Sequence, residues 1–70
     1  MNEATRKYIG EACRRWRVQH GYTQDHIAQE LHYTQTNISR FENGSNDNMT
    51  ILLWYIKHGF DPIAEVFGGV

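Results

Sequence analysis

The sequence is short of cysteine, proline and net positive charge, and each shortage closes off a class of protein. A single cysteine, Cys13, has no partner within the chain, so no disulfide framework holds the fold. The one proline, Pro62, lies near the end and leaves the preceding 61 residues free to form helices. No apolar run approaches the roughly 20 residues needed to span a bilayer. The longest, Met49 to Ile56, reads as a buried helix, and no membrane partner is expected. The polar start Met1–Lys7 offers no apolar core for a signal peptide, which favours the cytoplasm. Basic residues do not exceed acidic ones: seven Lys and Arg stand against eight Asp and Glu, a net charge of −1. Nonspecific attraction to nucleic acid is therefore weak overall.

The charges are unevenly placed. Residues 1–20 carry Arg6, Lys7, Arg14, Arg15 and Arg17 against only Glu3 and Glu11. Residues 21–70 carry only Arg40 and Lys57 against six acids. Seventy residues make one domain with a small core, burying roughly 60% of the unfolded surface.

What the chain does have is helical periodicity. From Glu3 to His20 the stripe Ile9, Ala12, Cys13, Trp16 and His20 predicts a first helix, with Lys7, Glu11 and Arg14 opposite and Gly21 ending it. Thr23 predicts the N-cap of a second helix, Gln24 to about Leu31, with Ile27, Ala28 and Leu31 inward. His26 stands where a full capping box wants Glu or Gln. After His32–Tyr33, Thr34 caps a third helix that buries Ile38 and Phe41 and closes at Asn43–Gly44. Ser45–Asn48 is a polar loop. A fourth helix runs from Met49 to His58 and Gly59 stops it. Asp61–Pro62 opens a short fifth through Phe67, and Gly68–Gly69–Val70 is a frayed tail. The expectation is an all-α, compact five-helix bundle without strands.

The informative stretch is Thr23 to Gly44. Two short helices are joined by a tight break, with the small residue Ala28 where they must cross closely. The later helix divides cleanly. Ile38 and Phe41 face the core, while Gln35, Thr36, Asn37, Ser39 and Arg40 are left outside.

Thr23-Gln24-Asp25-His26-Ile27-Ala28, Thr34 and Ile38-Ser39-Arg40-Phe41-Glu42-Asn43-Gly44 resemble the Xre, or Cro/CI-type phage repressor, helix-turn-helix. The likeness extends upstream to Ile9-Gly10, Trp16-Arg17 and Gly21-Tyr22, and downstream to Gly59-Phe60-Asp61 and Val66-Phe67. It implies a single DNA-binding domain over residues 1–70, its helix-turn-helix proper at about 23–44, with helix 34–43 in the major groove. It also implies a transcriptional regulator in a bacterial or phage-infected cell, acting on a double-stranded operator as a homodimer. By that resemblance Gln35 lies where an amide bonds adenine N6 and N7, Thr36 offers a methyl to thymine, and Arg40 can grip guanine O6 and N7. Gln24 and Asn43 take phosphate positions, Asn37 faces either a base edge or the backbone, and Ser39 lies on the same exposed face. Arg17 and Glu42 would form a partly buried ion pair tying the first helix to the third.

The sequence departs from the family pattern in four places. His32 stands where the turn prefers Gly, at a cost on the order of 1 kcal/mol if left-handed. Trp54 and Tyr55 are bulkier than is usual in the fourth helix, and His58 replaces an aliphatic. Trp54, Tyr55, Phe60 and Phe67 are expected in the core or at a dimer contact, and their bulk favours a dimer surface from Trp54 onward. No histidine lies three or four positions from another, so neither a metal nor a cofactor is expected. Nor is an enzyme, since no nucleophile–base set, phosphate loop or carboxylate pair occurs. The rival reading is an antirepressor or modulator that keeps the fold but binds another repressor protein through its acidic surface.

Overall fold

A computed structural model describes the backbone from Met1 to Phe67 and the side chains from Met1 to Glu65. The expected roles of the Phe67 side chain and of the tail Gly68–Gly69–Val70 lie outside the described residues. Five helices follow in order: α1 Glu3–Gln19, α2 Gln24–Leu31, α3 Gln35–Glu42, α4 Met49–Lys57 and α5 Pro62–Phe67. The fold is all-helical, with no strand among the described residues.

Local chemistry sets most of these boundaries. The side chains of Asn2, Thr23, Thr34 and Asn48 each accept the backbone N–H three residues on, at Thr5, His26, Asn37 and Ile51. Each cap satisfies one of the four N–H groups that a helix start leaves without a partner. The Asp61 carboxylate does the same for Ile63 and Ala64 at the start of α5. His32 ends α2 in the left-handed conformation, φ 58°, where its N–H and that of Tyr33 reach back to Gln29 and Ala28 carbonyls. The cap geometry is preserved without the glycine.

The core is one cluster. Ala12, Cys13 and Trp16 of α1 meet Ile27 and Ala28 of α2, Ile38 and Phe41 of α3, and Ile51, Leu52, Trp54 and Tyr55 of α4, with Phe60 beneath. Aromatic rings knit it together. Tyr55 stacks with Phe41 at 6.2 Å and meets Trp16 and Phe60 edge-on, an arrangement favoured by the ring quadrupoles.

Two expectations are corrected. His20 belongs to the predicted inward stripe but is exposed. It caps α1, stacks on Trp16 at 4.2 Å, and brings its ring Nδ1 to 2.8 Å from the Trp16 carbonyl. The aromatics assigned to a dimer surface are core residues: Trp54 is 5%, Tyr55 0% and Phe60 2% exposed. Their polar atoms explain how so much aromatic bulk is buried. The Trp54 indole N–H donates to Glu30 at 2.7 Å, and the Tyr55 hydroxyl donates to Glu42. Among the described residues, the large apolar side chains that α4 and α5 leave outside are instead Met49, Leu53, Ile56 and Ile63.

Two close approaches brace α3 against α1. A Cβ at Gly10 would lie 2.5 Å from the Glu42 carbonyl oxygen and 2.6 Å from that of Phe41, so only glycine permits this packing. Just beyond α3, Gly44 has φ 82°, and a Cβ there would sit 2.9 Å from the Lys7 Cα. The Arg6 guanidinium donates to the Gly44 carbonyl at 3.1 Å, fastening the loop that follows the helix.

Candidate nucleic-acid interface

At 100° per residue, Gln35, Thr36, Ser39, Arg40 and Asn43 fall within about 140° of the α3 circumference, with Ile38 and Phe41 opposite. Gln35, Thr36, Arg40 and Asn43 are exposed and Ser39 is half-buried, whereas Ile38 is fully buried and Phe41 2% exposed. The helix is thus held by its apolar side and presents a continuous polar one.

Asn37 sits off this face. Its side-chain carbonyl accepts from the Thr34 N–H at 2.9 Å while the Thr34 hydroxyl oxygen receives the Asn37 N–H, a reciprocal capping box. Half-buried and bonded to the cap, Asn37 stabilises the start of α3. Asn43 is also partly engaged, its side-chain carbonyl accepting from the Ser45 N–H at 3.0 Å. The residue is otherwise exposed.

Behind the face lies a polar cluster in an otherwise apolar interior. Arg17 bonds Glu42 through two N–H groups, Nε to Oε2 at 2.7 Å and Nη2 to Oε1 at 3.1 Å. Such a fork-to-carboxylate pair is among the stronger side-chain contacts. A third Arg17 nitrogen donates to the Tyr22 carbonyl at 3.0 Å. Glu42 is 5% exposed and also accepts from the Tyr55 hydroxyl and from Gln24 Nε2 at 3.0 Å. Among the described residues no buried side-chain polar atom lacks a partner. The hydrogen bond to Glu42 raises the Arg17 pKa further above its ordinary value. Burial, then the bond to Glu42, pushes the Tyr55 phenol well up.

Gln24 connects this cluster to the surface. Its amide N–H goes inward to Glu42, and its carbonyl accepts from Gln35 Nε2 at 3.2 Å. The sequence pattern placed Gln24 only as a phosphate contact, and missed both this bond and the Tyr55 hydroxyl on Glu42. Neither leaves a local signal, because the partners lie 18 and 13 positions apart.

Charge near the face is modest. Lys7 and Arg15 are paired within α1 to Glu3 and Glu11 at 3.2 and 3.3 Å, and Arg6 is spent on backbone carbonyls. Among the described residues Arg14 and Arg40 are exposed and take part in no ion pair. No cluster of His, Cys, Asp or Glu among the described residues could hold a metal ion, and no helix there is long and apolar enough to cross a membrane.

Comparison with known proteins agrees with this geometry. Residues 14–49 match the family model described as helix-turn-helix. The chain is 33% identical over 60 residues to a competence pilus inhibition repressor of Acinetobacter baylyi, an alignment covering 84% of this chain. It spans 54% of that relative's length. No solved structure matches. With just over half of its residues inside the family model, and with α2 and α3 packed as its two signature helices, the chain belongs to the helix-turn-helix family of DNA-binding regulators, of the Xre and Cro/CI kind.

Proposed function

We propose that the chain is a sequence-specific DNA-binding transcriptional regulator of the Cro/CI repressor type, inserting α3 into the major groove of an operator. One observation carries the reading. Gln35, Thr36 and Arg40 stand exposed on the side of α3 opposite its buried Ile38 and Phe41. Gln35, Thr36 and Arg40 meet base edges, with Ser39 beside them. Gln24 and Asn43 approach phosphates through their remaining amide N–H groups, and Asn37 supports the helix start. The whole of residues 1–70 acts as one such domain in the bacterial or phage-infected cell. It binds as a homodimer to half-sites about one helical turn, roughly 34 Å, apart.

Selection of bound sites from a random duplex library tests this. The expected result is an enriched motif with two related half-sites, bound more weakly as salt rises. Arg40→Ala should abolish the preference at one position per half-site at a cost of about 1–3 kcal/mol. Failure to enrich any duplex would remove the proposal. The acidic excess of residues 21–70 favours one rival, a modulator docking on another repressor protein. Such a protein would ignore DNA alone yet change the mobility of a repressor–DNA complex.

A further inference from the structure

We infer that Asn43 is a site of spontaneous covalent modification. Its side chain closes onto the Gly44 backbone nitrogen, loses ammonia and leaves aspartate or isoaspartate at the end of α3, which releases the operator. The chemistry stands on the fold alone. Its consequence for DNA rests on the phosphate contact proposed above.

The labile pair is one that the fold demands. Asn2, Asn37, Asn46 and Asn48 are each followed by a residue whose side chain shields the next backbone nitrogen, whereas Asn43 is followed by glycine. No other residue suits position 44. Its φ is 82°, and a Cβ there would lie 2.9 Å from the Lys7 Cα. Asn43 in turn serves the loop, its side-chain carbonyl accepting from both the N–H and the hydroxyl of Ser45. Those two donors rest on the oxygen that takes up negative charge when Cγ is attacked. Asn43 is also exposed, so water reaches it.

The reaction balances with water alone. The Gly44 nitrogen gives its proton to solvent and attacks Asn43 Cγ, forming a C–N bond and an oxyanion at Oδ1. The oxyanion collapses, the side-chain nitrogen takes a proton and leaves as ammonia, and a cyclic imide remains. Water then opens the imide. Breaking the new bond at Cγ restores the main chain and gives aspartate. Breaking the original Asn43–Gly44 bond gives isoaspartate, with the chain rerouted through Cγ. Nothing is oxidised or reduced, and a neutral amide has become a carboxylate.

The closed helix end holds this back. The Gly44 N–H donates to the Phe41 carbonyl at 3.1 Å, and Arg6 Nε donates to the Gly44 carbonyl at 3.1 Å. Attack requires the nitrogen to leave Phe41 and the backbone to turn from the Asn43 ψ of 3°. Local opening of the helix end therefore sets the rate. Operator bound across the closed end opposes that opening. Once formed, the carboxylate meets phosphate where Asn43 had offered a donor, and it sits at a helix C-terminus, where an anion is unfavourable. Operator affinity thus decays with the time the protein spends unbound.

The test incubates the unmodified chain, with and without its selected operator, beside Asn43→Gln and Arg6→Ala in warm, mildly alkaline buffer. Peptide mapping by mass spectrometry, with enzymatic methylation of isoaspartate, reads the conversion. Gel shift reads binding, and thermal melting confirms that both variants fold. Asn43 should convert before any other asparagine, severalfold more slowly on operator and severalfold faster in Arg6→Ala. The converted chain should bind operator roughly tenfold or more weakly than the fresh one. Asn43→Gln, whose longer side chain disfavours the ring, should keep the affinity of its own fresh sample. If Asn43 stays intact, or another asparagine converts first, the site is wrong. If operator does not slow the conversion, or the converted chain binds as tightly as before, or Asn43→Gln weakens equally with age, the release role is wrong and DNA reading stands. If the fresh chain enriches no duplex, DNA reading fails and the release role with it, while the mass spectrum still decides the modification.

Discussion

Single side chains decide more here than their number suggests, because one carboxylate sits where four helices meet. Removing Arg17 would leave Glu42 buried without its cation, so Arg17→Ala should lower stability by about 3–5 kcal/mol, measured by urea unfolding. Tyr55→Phe removes a single donor from the same carboxylate and should cost less, about 1–3 kcal/mol. Glycine matters at Gly10 for another reason. The Cβ of Gly10→Ala would press on two backbone carbonyls that cannot rotate away, and a loss of about 1–3 kcal/mol or more is expected. His32 is the opposite case. It occupies φ 58° without being glycine, so His32→Gly should stabilise the fold by about 0.5–1 kcal/mol despite the greater freedom of its unfolded state. For a chain of this size that is a rise of roughly 2–8 °C in melting temperature.

Among the helices, α3 depends on its first turn. The Thr34–Asn37 box satisfies donors that an eight-residue helix cannot satisfy by itself. Thr34→Ala should therefore cost about 1–2 kcal/mol and weaken operator binding through a frayed helix start, read together by circular dichroism and gel shift. Features of this local kind were legible in the sequence. Thr23, Thr34 and Asp61 announce helix starts within the residues that form them, and the spacing of Ile38 and Phe41 announces which side of α3 is buried. Nonlocal features were not legible. Nothing near Gly10 signals that two carbonyls of α3 will press on it, and nothing near Trp54 says that Glu30 will meet its indole. The bulk of Trp54 and Tyr55 exceeds what so small a core calls for, and only the fold supplies the polar partners, Glu30 and Glu42, that let them be buried. For Asn37 the sequence leaves base edge and backbone both open, and its bond to the Thr34 cap becomes visible only in the fold. Of the exposed face itself, Gln35, Thr36, Ser39, Arg40 and Asn43 follow from helical geometry alone, whereas the Gln24 bridge behind them required coordinates.

For the whole molecule, ionisation sets the limits of the fold. Glu30 is held below the usual carboxylate range, chiefly by the Trp54 indole N–H and then by nearby His26 and His58. A depressed carboxylate stabilises above its unfolded pKa, so this contribution should fade as pH falls below about 4.5, and Glu30→Gln should flatten that part of the acid unfolding curve. At the alkaline end the sign reverses. Burial, with the nearby Glu42 charge, pushes the Cys13 thiol well up, and the Tyr55 phenol is likewise raised. Both groups stay neutral in the fold while the unfolded chain ionises near pH 8.5 and 10, so stability should fall from about pH 9, on the order of one kcal/mol per pH unit for each group. Cys13→Ala should remove the earlier part of that fall. The same burial makes this sulfur an internal clock. Wholly sealed in the core and resistant to forming the nucleophilic thiolate, it meets a small alkylating reagent only when the bundle opens. Its rate of labelling in native buffer, roughly a thousandfold or more below that of a free thiol, would then count those openings directly, and operator DNA that clasps the closed form would slow the count further.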